Sequence, residues 1–113
     1  MKDKLSFIAS SFMTKLNIGV DENIYRQAFK MELDKKNIKY QDNIILDNNY
    51  DNVKLGEISV DFLIDKKVIV QISANNKLSG PNFNKINRIK ELLNINNAYI
   101  VHINSVMWEI REA

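Results

Sequence analysis

Polar side chains interrupt one face of a predicted β-hairpin. The stretch from Ser59 to Ala74 alternates apolar and polar residues on both sides of the charged segment Asp65-Lys66-Lys67, a pattern typical of two antiparallel strands and a tight turn. With a three-residue loop, Asp61 faces Gln71, and Ser73 lies on the same face. Of these side chains, only Asp61 carries a charge. The sequence therefore predicts a polar site centred on Asp61, Gln71 and Ser73.

The other face of this hairpin is apolar. We expect it to pack into the core, because a register slip of one residue would mix the two faces. The residues assigned to it are Ile58, Val60, Phe62, Ile64, Val68, Val70 and Ile72.

Two helices are predicted before the hairpin. The first is indicated by helical spacing of Leu5, Ile8, Phe12 and Leu16. The second has Asp21 as a candidate N-cap and runs to about Lys36. Glu22 shares its apolar face with Tyr25 and Phe29, at i+3 and i+7. Two interpretations of Glu22 stay open: a first-turn acid that interacts with the helix dipole, or a member of the polar site.

Strands and a third helix complete the predicted order. Segments 39–46 and 53–64 have strand character, and segment 47–52 is predicted to be a turn-rich connecting loop. After the breaker Gly80-Pro81, a helix is predicted with Asn82 as its cap and an apolar stripe of Phe83, Ile86, Ile89 and Leu93. Segment 98–104 is a further strand, and the alternating residues Val106, Trp108 and Ile110 indicate a last one.

Composition restricts the class of protein. The 113 residues fit one domain, 1–113, with one modest core, and a net charge of +2 permits nucleic-acid contact without requiring it. With no Cys, disulfides and thiolate metal sites are excluded, and the single histidine, His102, does not indicate a metal site or a catalytic triad. No membrane span, signal peptide or small-molecule cofactor site is evident, so a cytoplasmic or nuclear protein of cellular or viral origin is expected.

Several of these residues match one known family. Gly19, Glu22 and Tyr25 fit the pattern GxxExxY, and further matches at the expected separations are Ala28, Glu32-Leu33, Gly56-Glu57, Asp61 and Val68-Ile69-Val70. From about Phe12 to Asn104, the sequence resembles the GxxExxY proteins, a branch of the PD-(D/E)XK nuclease superfamily. The resemblance implies an α/β (α+β) fold with an αβββαβ core, in which helices flank a mixed central sheet.

The resemblance also implies a metal site on the polar side of the hairpin. Asp61 would come from its first strand, Glu22 from the opening helix, and an acid-x-Lys triplet from the second strand. Such a site hydrolyses phosphodiesters with Mg²⁺ or Mn²⁺, and its lysine orients the attacking water. Here Gln71 replaces the acid and Ser73 replaces the lysine. We therefore expect at most weak metal binding by Glu22 and Asp61, without useful catalysis.

Three hypotheses about function follow. The first is a catalytically inactive nuclease fold that binds nucleic acid, DNA or RNA, or a protein, with phosphate contacts from Lys77, Lys85 and Arg88. The second is an active nuclease in which Lys85, on the later helix, replaces the missing lysine; otherwise Lys85 is a solvated surface residue. The third is a homodimeric structural or assembly protein that pairs through the last strand, although Trp108 is also expected to pack into the core.

Overall fold

The predicted order of helices and strands is confirmed. The computed structural model describes residues 1–16, 20–74, 78–104 and 107–113. Its elements are α1 (Lys2–Met13), α2 (Glu22–Lys35), β1 (Tyr40–Tyr50), β2 (Val53–Ile64), β3 (Val68–Ser73), α3 (Gly80–Leu93), β4 (Ala98–Ile103) and β5 (Trp108–Glu112).

The strands form one mixed sheet in the order β1-β2-β3-β4-β5. β3 and β4 run parallel, and the other neighbouring strands pair antiparallel. Parallel neighbours need a crossover connection, and α3 provides it. Helices cover both faces, as the sequence predicted. β5 lies at one edge of the sheet, and β1 lies at the other.

The face that α1 and α2 cover holds the aromatic part of the core. Phe12, Tyr25, Phe29 and Phe62 are all buried there. The ring centroids of Phe29 and Phe62 are 4.8 Å apart, which joins α2 directly to strand β2 of the sheet. Burial of such a side chain stabilises a fold by about 1.5–3 kcal/mol, so the apolar stripes of α1 and α2 are sufficient reason for them to dock on this face.

The opposite face is covered by α3. Ile86 and Ile89 of this helix pack with Val60, Ile69 and Ile100 of the sheet. The helix begins earlier than predicted. Its N-cap is Ser79, and Gly80-Pro81 forms the first turn rather than breaking the chain, because a proline is tolerated where no intrahelical N–H bond is needed.

The hairpin of β2 and β3 has the predicted register. Phe62 pairs with Val70 and Ile64 pairs with Val68, which leaves the three-residue loop of residues 65–67. Its predicted apolar face, however, is wrong at Ile58 and Val60. These two residues lie on the α3 side, whereas Phe62 and Ile64 lie on the α1–α2 side.

The change of face occurs at a gap in the pairing of β1 and β2, where Asn43 of β1 has no register partner. Asn43 has a left-handed φ of 50° and lies between the residues that pair with Val60 and Phe62. Such an irregularity re-aims the side chains that follow it. Asp61 lies at this point, between Val60 and Phe62, so the local distortion of the sheet sets the direction of its carboxylate.

The predicted loop 47–52 is also wrong, because β1 continues to Tyr50 and β2 begins at Val53. Only Asp51 and Asn52 form the turn, with φ values of 49° and 64°. Positive φ at both positions is the conformation of a two-residue hairpin turn, which Asn and Asp adopt readily. The polar residues that suggested a loop instead form the solvent-exposed end of a long hairpin.

The last strand is confirmed from Trp108 onward, and Val106 lies outside the described residues. Ile110 is buried and Trp108 packs partly buried against the α1–α2 side of the core. Across the described ranges, no helix combines the length and the apolar character that a membrane span needs.

Candidate functional site

At Asp61 and Gln71, hydrogen bonds from side chains to the backbone take the place of the backbone–backbone hydrogen bonds between β2 and β3. The Gln71 Oε1 atom accepts a hydrogen bond of 2.5 Å from the Asp61 N–H, and the Gln71 amide donates to the Ser59 carbonyl at 3.3 Å. In the other direction, the Asp61 Oδ2 atom accepts a bond of 2.7 Å from the Ile72 N–H. The two side chains predicted to face each other therefore each bind the backbone of the opposite strand.

Glu22 reaches the same place from the first turn of α2. Its Oε2 atom accepts a hydrogen bond of 2.9 Å from the Ala74 N–H, just after the end of β3. This contact spans 52 residues of sequence and ties the start of α2 to the sheet. Glu22 therefore lies beside the polar site, and it is also the acid in the first turn of α2.

Arg26 lies between the two carboxylates. Its Nε atom is 3.0 Å from the Asp61 Oδ1 atom, and its Nη2 atom donates to the Glu22 Oε1 atom. The Asp61 side chain is only 9% exposed, whereas those of Glu22 and Arg26 are 32% exposed. Because water screens the Arg26–Asp61 contact less than the Arg26–Glu22 contact, the attraction between Arg26 and Asp61 is the stronger of the two.

A cavity of about 110 Å³ opens beside this cluster. Its walls include all five positions considered for catalysis from the sequence, which are Glu22, Asp61, Gln71, Ser73 and Lys85. A second cavity of about 380 Å³ lies between α2 and the β1–β2 hairpin. Arg26 and Asp61 line both cavities, so this ion pair stands at the junction between them.

Lys85 and Ser73 have different surroundings within the smaller cavity. Lys85 is exposed and makes no hydrogen bond or ion pair with the described part of the chain. Ser73 is buried, and its Oγ atom lies 3.5 Å from the Nδ2 atom of Asn82 in the first turn of α3. Ser73 thus joins the start of α3 to the end of β3, and Lys85 supplies the unpaired positive charge of this cavity.

Comparison with known proteins decides the family. A family model described as the PD-(D/E)XK nuclease superfamily matches residues 1–112. The chain belongs to the PD-(D/E)XK nuclease superfamily. The crystal structure of SSO0001 is similar in fold, with a TM-score of 0.63 and 11% sequence identity over 96% of this chain. The chain spans 53% of that protein's length. No curated protein matches significantly.

The residues at the PD-(D/E)XK site do not fit a divalent cation as they are arranged. Glu22 and Asp61 both already accept hydrogen bonds from Arg26 and from backbone N–H groups. A metal ion between the carboxylates would lie against the guanidinium and be repelled by it. The carbonyl oxygen of Gln71 is also engaged, by the Asp61 N–H. Among the described residues, no group of three or more His, Cys, Asp or Glu could hold a metal ion.

The GxxExxY motif is divided between the site and the core of this PD-(D/E)XK domain. Glu22 lies in the site, whereas Tyr25 is fully buried, with its ring centroid 6.5 Å from that of Phe12. Gly19 lies outside the described residues. Assignment to the GxxExxY branch therefore stays a prediction from the sequence.

Of the residues predicted to contact phosphates, the two in the described part of the chain have different surroundings. Lys77 lies outside the described residues. The side chain of Arg88 binds the β1–β2 hairpin. Its Nε atom is 3.0 Å from the Asn48 Oδ1 atom, and its Nη2 atom is 3.2 Å from the Asn49 carbonyl oxygen. Of Lys85 and Arg88, Lys85 is the one that lines the candidate site of the PD-(D/E)XK domain.

Sequence reasoning assigned no site role to Arg26 or His102. Arg26 was missed, although its position four residues after Glu22 is the spacing of a helical ion pair. His102 is buried on β4, and its Nδ1 atom is 3.4 Å from the Glu109 Oε1 atom on β5. His102 thus contacts β5 on one side, and on its other side it pairs in register with Ser73 of β3.

Proposed function

We propose that this PD-(D/E)XK domain does not hydrolyse phosphodiesters and acts by binding nucleic acid at the surface that carries Lys85. The observation that carries the proposal is the position of Arg26 between the Glu22 and Asp61 carboxylates. An arginine that pairs with both acids offsets one of their two negative charges and occupies the space between them, which weakens the attraction of the site for Mg²⁺. It does not remove the fold that presents the surface.

The other altered positions support the same proposal. The side-chain amide of Gln71 forms hydrogen bonds with the β2 backbone. Ser73 has a hydroxyl group at the position where hydrolysis would need the ammonium group of a lysine. Loss of one electrostatic catalytic group commonly costs about 10²–10³-fold in rate. Catalytic groups act as a unit, so replacement of both the acid and the lysine should leave little hydrolysis.

Lys85 supports a binding role because its charge is not used within the described part of the fold. It is exposed at the edge of the cavity and is not paired with a carboxylate. A phosphate group could therefore bind it without first breaking an ion pair. Arg88, which holds the β1–β2 hairpin, would have to give up contacts to do the same.

Binding of labelled single- and double-stranded DNA and RNA, followed by fluorescence anisotropy, tests this proposal. We expect affinity to fall as NaCl rises from about 50 to about 200 mM, because phosphate contacts release counterions. Lys85→Ala should weaken binding and lower the salt slope by about 1. The matched control is Lys67→Ala, which removes an exposed charge at the opposite end of β3 and should change neither quantity.

Two results would contradict the proposal in different ways. If no oligonucleotide binds, the nucleic-acid part fails and a protein becomes the partner to search for. If the wild-type protein cleaves an oligonucleotide with Mg²⁺ or Mn²⁺, and Asp61→Ala abolishes cleavage, the inactivity part fails.

An active nuclease is the second candidate, and one observation favours it. Lys85 lines the same cavity as Glu22 and Asp61, where a lysine is needed. This candidate predicts metal-dependent cleavage that is lost in both Asp61→Ala and Lys85→Ala. Cleavage that survives both substitutions would come from a contaminant.

A homodimer through β5 is supported less well. The strand lies at a sheet edge, but it carries Glu109, Arg111 and Glu112, and charged residues discourage edge-to-edge pairing. Sedimentation velocity at micromolar concentration distinguishes a monomer from a dimer.

A further inference from the structure

One guanidinium group satisfies both acids of the site. The Arg26 Nε atom contacts Asp61 and the Nη2 atom contacts Glu22. These nitrogens are bonded to the same carbon, so the two carboxylates lie within the width of one guanidinium group. A planar, permanently charged group with two adjacent donors is suited to hold two carboxylates in this way, whereas a lysine offers a single point charge.

Both carboxylates also have an anchor that does not depend on Arg26. The second oxygen of Asp61 accepts from the Ile72 N–H, and the second oxygen of Glu22 accepts from the Ala74 N–H. These backbone donors belong to β3 and the residue that follows it. Asp61 and Glu22 should therefore stay in place when the side chain of Arg26 is changed.

We propose that Arg26 is a built-in replacement for the divalent cation of this site, and that a neutral side chain at position 26 converts Glu22 and Asp61 into a binding site for Mg²⁺ or Mn²⁺. This inference rests on the proposed function, since it explains why both acids are present in a domain without hydrolytic activity. Without Arg26, two carboxylates would face each other uncompensated. A divalent cation would relieve that repulsion, and Mg²⁺ often uses only one or two protein carboxylates and keeps its waters.

The experiment is titration of MnCl₂ and MgCl₂ into the folded protein, by calorimetry and by thermal unfolding. For Arg26→Met we expect dissociation constants on the order of 10⁻⁴–10⁻³ M, the range of the weakest calcium sites built from protein oxygens. At about 10 mM Mn²⁺ the melting temperature of this variant should rise by roughly 5–10 °C. The wild-type protein should show neither binding heat nor a comparable shift.

Three further variants make the result specific. Arg26→Gln is also neutral but keeps a hydrogen-bond donor for Asp61, so it tests the inference in a fold that is perturbed less. The matched control Lys30→Met removes another α2 cation, which pairs with Asp42 at 3.2 Å, and should gain no metal binding. Adding Asp61→Asn to Arg26→Met should abolish the binding that was gained.

The inference is supported if the neutral variants at position 26 gain metal binding and Lys30→Met does not. It is overturned if the wild-type protein binds Mn²⁺ as tightly as these variants do. It is also overturned if Arg26→Gln, folded by circular dichroism, gains no binding. The proposed function is tested separately, by nucleic-acid binding and cleavage in the wild-type protein, so either idea can fail without the other.

Discussion

Gln71 binds the backbone of Asp61 rather than its carboxylate: the Gln71 Oε1 atom accepts the Asp61 N–H at 2.5 Å. The amide end of the same side chain donates to the Ser59 carbonyl. A glutamine can make both contacts because it carries an acceptor and a donor, whereas an ionised glutamate has acceptors only. The replacement of the expected acid therefore has a structural role in joining β2 to β3.

Gln71→Glu should destabilise the fold, although it restores the acid of the nuclease motif. The Ser59 carbonyl would lose its donor, and a second buried carboxylate would lie near Asp61. We expect the free energy of unfolding at pH 7 to fall by about 1–3 kcal/mol, measured by urea denaturation.

The pH dependence of this cost identifies its cause. Burial and the Asp61 charge would raise the pKa of the introduced carboxyl group, so the cost should grow as the pH rises and shrink in acid. Gln71→Met loses both hydrogen bonds of Gln71 and adds no charge. If the two variants show the same pH dependence, charge repulsion is not the reason.

Arg88 and Lys85 should differ in their effect on stability. Arg88 bonds to Asn48 and to the Asn49 carbonyl, which holds α3 to the β1–β2 hairpin, whereas Lys85 makes no such contact. We expect Arg88→Ala to lower the free energy of unfolding by about 1–2 kcal/mol and Lys85→Ala to leave it within about 0.5 kcal/mol. Chemical denaturation of both variants checks this, and an equal loss for the two would contradict it.

Sequence periodicity predicted the elements and the β2–β3 register because both depend on local information. Alternation of apolar residues and the length of the segment 65–67 were enough to pair Phe62 with Val70. The face of Val60 was predicted wrongly because it depends on the left-handed Asn43 in a different strand. The alternation of apolar residues along β2 contains no information about a distortion in the neighbouring strand β1.

The sequence predicted which residues form the site, but it did not predict that Arg26 pairs with both acids. Glu22, Asp61, Gln71 and Ser73 do meet at one cavity. The pairing of Arg26 with Glu22 follows from i,i+4 spacing, but its contact with Asp61 spans 35 residues and requires α2 to be docked on the sheet. The conclusion that both acids are already paired with one arginine therefore needed the tertiary structure.

Tyr40 should make the fold sensitive to alkali. Burial raises the pKa of Tyr40 to about 12, and the hydrogen bond from its hydroxyl to Asp34, at 2.6 Å, acts in the same direction. A phenol titrates near pKa 10 when unfolded. Its contribution to stability is therefore complete below pH 10 and is lost as the pH rises from 10 to 12. Tyr40→Phe should unfold with a weaker pH dependence across that window; an unchanged dependence would assign it to other groups.

Glu32 should make the fold sensitive to acid. The hydrogen bond from Lys36, at 2.7 Å, is the largest cause of a lowered pKa at Glu32, and the Lys35 charge adds to it while burial opposes it. Because the pKa is lowered on folding, the stability it contributes is present above pH 4.5, the unfolded value, and is lost as the pH falls through the folded pKa.

Lys36→Met should therefore cost about 1 kcal/mol at pH 7 and less in acid. The control is Lys35→Met, whose ammonium group lies 3.5 Å from Glu32 and is 57% exposed. Its effect should be smaller at every pH. Urea denaturation at pH 7 and at pH 3 compares the two, and a larger loss for Lys35→Met would reverse the assignment.

The β2–β3 turn offers a stabilising substitution at Lys66. This residue has a φ of 56°, a left-handed conformation that costs a side chain with Cβ about 1–2 kcal/mol. Glycine avoids that cost but loses about 0.5–1 kcal/mol through the entropy of the unfolded chain. Lys66→Gly should therefore raise the free energy of unfolding by roughly 0.5 kcal/mol. The neighbouring Lys67 does not have a positive φ, so Lys67→Gly gains no relief and should destabilise the fold. Thermal unfolding of both variants measures the difference, and equal effects would mean that the left-handed turn is not the source of the strain.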